Sequence, residues 1–146
     1  GNANEAEYLY DNGFKNVFVL DIAETVISEF VKRAPHFPVG NIIIEDFFEH
    51  KGKYDLIIEQ TFFCAIFPSE RKKYSEKIYN LLNYGGRLVG LLFNHEFGNS
   101  YPPYGGNKEE YLEYFKPFFQ IKYFSTANNS IKPRAGREYF INLIKL

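Results

Sequence analysis

Short apolar runs alternate along this chain with segments whose apolar residues recur at helical spacing. Three runs are rich in Val, Ile, Leu and Phe, and each closes on an acid: 16–21, 41–46 and 53–59. Such continuous apolar runs are typical of buried strands in a parallel sheet. A fourth run, 87–93, follows Gly85-Gly86, which we expect to form a tight turn.

Helical spacing appears between these runs. We predict helices at 4–12, 24–33, 69–82 and 107–116. Gly13 is the expected stop of the first helix, and Ser69 is the expected cap of the third. In that third helix the apolar stripe is Tyr74, Ile78, Leu81 and Leu82.

The end of the chain breaks the alternation of strand and helix. Segments 118–125 and 138–146 read as strands, and the polar loop between them shows no helical pattern, so we expect an antiparallel pair. The whole order predicts an α/β fold with a mainly parallel sheet, an antiparallel C-terminal strand and helices on both faces. Residues 1–146 are enough for one domain.

Charge and composition narrow the function classes. The net charge of −1 disfavours a nucleic-acid binder, which normally shows a basic face. No apolar run approaches the roughly 20 residues that cross a bilayer, and no secretory signal is visible, so no membrane role is expected. Cys64 is the single cysteine and cannot form an intramolecular disulfide. A cytoplasmic protein is therefore expected, with its oligomeric state open.

Polar side chains follow three successive predicted strands: Asp21, Asp46 and the pair Glu59-Gln60. In open parallel sheets, ligands bind beyond the carboxyl ends of the strands. A carboxylate there can accept two hydrogen bonds from a ribose diol, and Asp46 beside Phe47 suits an adenine amine and ring. No glycine-rich phosphate motif is present. The pattern favours an adenosine-type ligand with positive charge, although an acid after a single strand is often only a helix cap or a solvated loop.

Several motifs carry a family resemblance. They are VFVLDIAETVI, IIIEDFFE, YDLIIEQTFFCAIFPSER with its continuation to LLF, the loop YPPY (101–104), and GREYFINLIKL. Together they resemble the class I S-adenosylmethionine-dependent methyltransferases. More narrowly, they are similar to the thiopurine S-methyltransferase-like family, which includes thiol and halide methyltransferases. The resemblance runs over essentially the whole chain.

This resemblance implies a Rossmann-like methyltransferase fold and S-adenosyl-L-methionine as cofactor. It implies methyl transfer by in-line displacement to a small soft nucleophile: a thiol, thiopurine, hydrosulfide or halide. The expected cofactor-binding residues are Gly1, Glu5, Asp21, Ile22, Asp46, Phe47, Glu59, Gln60 and Thr61. The expected substrate-binding residues are Phe62, Phe63, Ile66, Tyr101, Tyr104 and Arg137. No metal site is expected.

Three questions stay open at the level of sequence. The catalytic group is unassigned, with Tyr101, Tyr104 and His95 as candidates, and Cys64 is better explained as part of a pocket wall than as a nucleophile. Gly1 resembles the last glycine of the family's first turn, so we expect a strand and a lid helix upstream of it. The alternatives to an active methyltransferase are a non-catalytic cofactor-binding protein and, less favoured, an NAD-dependent oxidoreductase.

Overall fold

The computed structural model describes all residues, 1–146, and the chain divides into two compact units, Gly1–His50 and Lys51–Leu146. The expectation of a single domain stays a prediction. No helix combines the length and apolar character that crossing a membrane requires. The helices are α1 (Asn4–Asp11), α2 (Glu24–Arg33), α3 (Arg71–Leu81) and α4 (Lys108–Phe115); the strands are β1 (Val19–Asp21), β2 (Ile42–Ile44), β3 (Tyr54–Gln60), β4 (Leu82–Phe93), β5 (Phe119–Thr126) and β6 (Glu138–Lys145).

The first unit contains α1, α2 and a two-stranded parallel sheet of β1 and β2. Its register pairs Asp21 with Ile44, so both strands end at the same edge. The core consists of Val19, Ile27, Phe30, Ala34 and Phe37. The prediction that β2 is a buried strand is wrong in part. Ile44 is 50% exposed, because within this unit only one face of the two-stranded sheet is packed against a core.

The two helices predicted for this part of the chain are confirmed. Helix α2 spans the predicted residues and turns Ile27 and Phe30 into the core. Helix α1 ends before Gly13, whose φ of +96° is a conformation that glycine adopts without steric cost.

The second unit is built on a four-stranded sheet in the order β3-β4-β6-β5. Strands β3 and β4 are parallel, and β6 runs antiparallel to both of its neighbours, as predicted for the C-terminal strand. The register pairs Gln60 with Leu91, Phe93 with Glu138, and Thr126 with Tyr139. Consequently the segments that follow β3, β4 and β5 all emerge at one edge of this sheet.

The core of the second unit is largely aromatic. Helices α3 and α4 bury Tyr74, Ile78, Tyr111 and Phe115, and the sheet contributes Leu82, Leu88, Ile141 and Leu143, all at most 1% exposed. The predicted stripe of α3 is therefore confirmed as a core face, although Leu82 belongs to β4.

Two sequence predictions about α3 and β4 are wrong. Ser69 does not cap α3, because residues 68–70 form a 3-10 turn and the α-helix begins at Arg71 without a side-chain cap. Gly85-Gly86 do not separate a helix from a strand, because β4 begins at Leu82 and contains them. In the pairing of β4 with β3, Leu82 lies opposite Tyr54, and the next pair is Arg87 with Leu56. The extra residues of β4 between these pairs form a bulge that contains the two glycines.

One face of the second unit's sheet is open. Leu56 and Ile58 are 50% and 43% exposed, so β3 is not the fully buried strand that its apolar run predicts. With Val89, Leu91 and Phe140 these side chains line a cleft of about 290 Å³. The buried side of the same sheet carries the aromatic core.

Candidate functional site

In the first unit, Asp21 closes β1 at the edge that the predicted adenosine site would use. Its Oδ1 accepts a hydrogen bond of 2.9 Å from the Ala23 N–H, and its Oδ2 contacts the amino group of Gly1. The predicted Gly1 therefore lies beside the carboxylate of Asp21.

Asp46 lies just beyond β2, on the same edge of the first unit. Its Oδ1 accepts from the Phe48 N–H at 2.8 Å, an arrangement that fixes the turn 46–50 and leaves the carboxylate exposed. The ring of Phe47 meets that of Phe48 edge-on, with centroids 5.2 Å apart. The parallel register therefore brings Asp21 and Asp46 to one strand edge. Ile22 is 67% exposed nearby in the chain, and Glu5 is exposed on α1.

In the second unit, Glu59 is enclosed by the chain itself. Its Oε1 accepts from the Phe62 and Phe63 N–H groups, both at 2.9 Å, and its Oε2 accepts from the Tyr74 hydroxyl at 2.6 Å. Burial raises the pKa of Glu59 above its ordinary value, although the three donors oppose that shift. Between these anchors Thr61 has a φ of +62°, a left-handed conformation that is costly for a β-branched residue.

The predicted wall residues separate into two groups. Phe63 is 1% exposed, and its ring packs against Tyr74, Tyr111 and Phe115 with centroids 5.3 to 5.7 Å away. Ile66 is also buried, whereas Phe62 is 38% exposed. Phe63 and Ile66 therefore support the wall from the core, and Phe62 is the member of the group that is open to solvent.

Cys64 is a buried thiol at the end of this wall. It donates to the Thr61 carbonyl at 3.5 Å. Burial, together with the charge of Glu59, raises the pKa of Cys64 to about 11. Because the thiolate is the nucleophilic form, Cys64 is poorly suited to attack at neutral pH.

The loop 94–107, which contains YPPY, is attached to its neighbours at both ends. At its start, the Asn94 N–H donates to the Arg137 carbonyl at 3.0 Å. At its end, the Tyr104 N–H donates to the Cys64 carbonyl at 2.7 Å, and the Gly106 N–H to the His95 carbonyl at 3.2 Å. The three segments that leave the sheet edge are thus joined to one another.

The two candidate tyrosines of this loop differ in environment. Tyr104 is 9% exposed, packs on Phe67 at 5.7 Å between centroids and donates its hydroxyl to the Ser100 carbonyl at 3.2 Å. Tyr101 is 64% exposed. Tyr104 is therefore part of the loop's own packing, and Tyr101 is free to turn toward a ligand.

His95 and Arg137, predicted for different roles, form one pair. Arg137 Nη2 lies 2.8 Å from His95 Nε2. A guanidinium has donors only, so Nε2 is the acceptor and the ring proton lies on Nδ1. Nδ1 is buried and has no partner in the chain. In this arrangement Arg137 occupies the basic nitrogen of His95.

Arg71 is the last residue of the motif YDLIIEQTFFCAIFPSER, but sequence reasoning gave it no role; it is a buried guanidinium behind the wall. It is 1% exposed, and it bonds Glu110 and the carbonyls of Tyr104 and Gly105. A signal was available: Arg71 lies three residues before Tyr74 and seven before Ile78, which puts it on the apolar stripe of α3. A charged residue on such a stripe indicates a buried, paired group.

Comparison with known proteins identifies the chain's relatives. The family model described as thiopurine S-methyltransferase (TPMT) matches residues 1–140. A relative named probable thiol methyltransferase 2, from Arabidopsis thaliana, is 32% identical over 131 residues, which are 85% of this chain and 58% of that protein. This chain therefore spans somewhat more than half the length of that relative.

Solved structures agree at the level of the fold. A protein of Pyrococcus horikoshii covers 100% of this chain and 78% of its own, with a TM-score of 0.80 and 15% identity. A TehB-like SAM-dependent methyltransferase from Corynebacterium glutamicum covers 100% and 76%, with a TM-score of 0.76 and 15% identity. The fold is that of the Rossmann-like class I methyltransferases, and the chain belongs to the thiopurine S-methyltransferase family.

Proposed function

We propose that the protein is an S-adenosyl-L-methionine-dependent methyltransferase whose acceptor is a small soft nucleophile: a thiol, thiopurine, hydrosulfide or halide. The observation that carries this proposal is membership of the family over residues 1–140. The relative named as a thiol methyltransferase favours the soft acceptor. Methyl transfer would proceed by in-line displacement.

The donor set of the first unit fits the adenosine part of this cofactor. Two carboxylates, Asp21 and Asp46, follow paired parallel strands at one edge and can accept from hydroxyl or amine groups. Phe47 beside Asp46 adds an aromatic surface for a base. We propose that Asp21 holds the ribose, that Asp46 and Phe47 hold the adenine, and that Gly1, Glu5 and Ile22 complete this side.

The second unit contains the other predicted site residues. We propose that Gln60 and Thr61 line the cofactor, with Glu59 contributing through the turn, since its own oxygens are occupied by Phe62, Phe63 and Tyr74. Phe62, supported by Phe63 and Ile66, would form the acceptor wall. Tyr101, Tyr104 and Arg137 would border the acceptor from the loops at the same sheet edge.

The chemistry asked of these side chains is modest. The bound cofactor supplies a methyl group already activated on a sulfonium sulfur. The chain contributes alignment and exclusion of water, which can account for much of the barrier reduction. A soft anion needs no general base, which agrees with a Cys64 thiol whose pKa burial raises and with a His95 whose Nε2 is occupied by Arg137.

The test is a transfer assay with methyl-labelled cofactor and a panel of acceptors. Hydrosulfide, an aromatic thiol, thiocyanate and iodide represent soft acceptors, and catechol serves as the oxygen-nucleophile control. Turnover of at least one soft acceptor and none of catechol is expected. Cofactor binding without any turnover would favour the non-catalytic alternative, and turnover of catechol alone would overturn the proposed acceptor class.

A further inference from the structure

We propose that Arg71 is a positioning residue that fixes the base of the loop 94–107 against the aromatic wall. The contacts of Arg71 stand independently of any reaction. The consequence for acceptor binding rests on the proposed function. Nothing in the family resemblance assigns this residue a role.

Arg71 joins three parts of the second unit. Its Nη1 donates to Glu110 Oε1 at 2.9 Å, which links it to α4. Its Nη2 donates to the Gly105 carbonyl at 2.8 Å, with the Tyr104 carbonyl at 3.4 Å. The guanidinium lies over the ring of Phe63 at 4.7 Å. One side chain therefore contacts the wall, the loop and the helix that follows the loop.

On energetic grounds, we expect these contacts to fix the position of the loop more than they stabilise the fold. Burying a charge carries a desolvation penalty that a single ion pair often fails to recover, and apolar replacements of buried pairs are frequently neutral or stabilising. Arg71 Nε is also buried without a partner. What an apolar residue cannot reproduce is the directed hydrogen bonding of a planar guanidinium to two successive carbonyls.

The loop base has little freedom apart from these bonds. A Cβ at Gly105 would lie 1.8 Å from the His95 carbonyl oxygen, so the two backbone segments cross in close contact. The Tyr104 and Gly106 N–H groups are bonded on either side of that crossing. By contrast, Tyr101, Pro102 and Pro103 are exposed. Arg71 thus holds the end of a loop whose tip is open, and the direction of the Tyr101 and Tyr104 side chains depends on that end.

Hydrogen exchange tests the contact directly. Arg71→Met and Arg71→Lys would be compared with Lys72→Met, which changes an exposed residue of the same helix. We expect the amide exchange rate across 96–106 to rise about tenfold or more in Arg71→Met, less in Arg71→Lys, and not in the control. The reason is that the loop opens locally more often when the bonds from Arg71 are lost. Unchanged exchange there in either folded variant would overturn the proposal. If Arg71→Met does not fold, Arg71→Lys decides.

Kinetics test the functional consequence. We expect the KM of the acceptor to rise about fivefold or more in Arg71→Lys, with the dissociation constant of S-adenosylhomocysteine unchanged, because a displaced loop mispositions the acceptor. In Arg71→Lys, we do not expect a further substitution at Glu110 to restore the wild-type KM. A variant with lower stability but unaltered acceptor KM would mark a merely structural residue. Absence of any transfer by the wild type would contradict the proposed function, and the exchange result would still decide the role of Arg71.

Discussion

The carboxylates at the strand ends of the two units differ in their exposure to solvent. In the first unit, Asp46 is exposed and the Asp21 side chain is 18% exposed; each accepts a backbone hydrogen bond, and both carboxylates still border solvent at a strand edge. In the second unit, Glu59 and Glu138 are 4% and 2% exposed; both oxygens of Glu59 accept hydrogen bonds, and Oε1 of Glu138 accepts one from Arg134. Carboxylates that look alike in the sequence, each at the end or start of a strand, therefore have different physical surroundings.

This difference separates binding from architecture. An accessible carboxylate contributes little to the packed core, so its replacement acts mainly on a ligand. An enclosed carboxylate that accepts several hydrogen bonds leaves unpaired donors when it is removed, so its replacement acts mainly on folding. We therefore expect substitutions of the accessible acids to change cofactor affinity, and substitutions of the enclosed acids to change the free energy of unfolding.

The largest effect is expected from Glu59→Ala. The Phe62 and Phe63 N–H groups and the Tyr74 hydroxyl would lose their acceptor in a buried place. We expect the free energy of unfolding to fall by about 3 to 5 kcal/mol, measured by urea denaturation. Glu113→Ala, on the exposed side of α4, is the control and should change little. A loss no larger than that of the control would contradict the role assigned to Glu59.

The next effect concerns the first unit. Asp21→Asn keeps an oxygen for the Ala23 N–H but removes the charge that strengthens hydrogen bonds from a ribose. We expect the dissociation constant of S-adenosylhomocysteine to rise about 10- to 100-fold, or about 1.4 to 2.8 kcal/mol, with the unfolding midpoint nearly unchanged. Glu29→Gln on exposed α2 is the matched control. Unaltered affinity in the Asp21 variant would remove Asp21 from the proposed site.

A pH dependence sharpens the same contrast. Burial raises the pKa of Glu59 above 4.5. Between 4.5 and the raised value, the folded protein binds more protons than the unfolded chain, so the free energy of unfolding falls as pH rises through that window. The slope is at most about 1.4 kcal/mol per pH unit. Compared with Glu59→Gln, which does not titrate, the wild type should lose stability on the alkaline side of 4.5; a difference that is flat or grows with pH would contradict this.

The smallest effect is expected from Asn107→Ala. Asn107 Oδ1 accepts from the Glu110 N–H at 2.9 Å and caps α4 at the solvent-exposed end of the loop 94–107. Because water can partly replace an exposed cap, we expect a loss of about 1 kcal/mol in the free energy of unfolding. A loss as large as that of Glu59→Ala would mean that exposure does not separate the two kinds of polar residue.

The sequence predicted elements wherever one local pattern dominates. Helix α2 was found with its observed bounds, because its apolar spacing and the following prolines agree. The antiparallel pairing of β5 and β6 followed from the absence of a helical pattern between them. The bulge at Gly85-Gly86 was missed, because glycines that suit a turn also suit a bulge and only the pairing with β3 distinguishes them.

The site was predicted less completely. The strand-end acids of the first unit are brought to one edge by the parallel register, a general property of such sheets. The bond between Tyr74 and Glu59 was not predicted, because Tyr74 at helical spacing reads as a core residue and its hydroxyl partner lies on another element. The pairing of Arg137 with His95 spans 42 residues and has no local signal.

The central claim is that the protein binds an adenosine cofactor of the sulfonium class, and calorimetric titration tests it most directly. S-adenosylhomocysteine would be titrated into the protein, with NAD as the competing dinucleotide control. The account predicts binding of S-adenosylhomocysteine in the range of about 1 to 100 μM and no heat from NAD. Binding of NAD alone, or of neither compound, would contradict it.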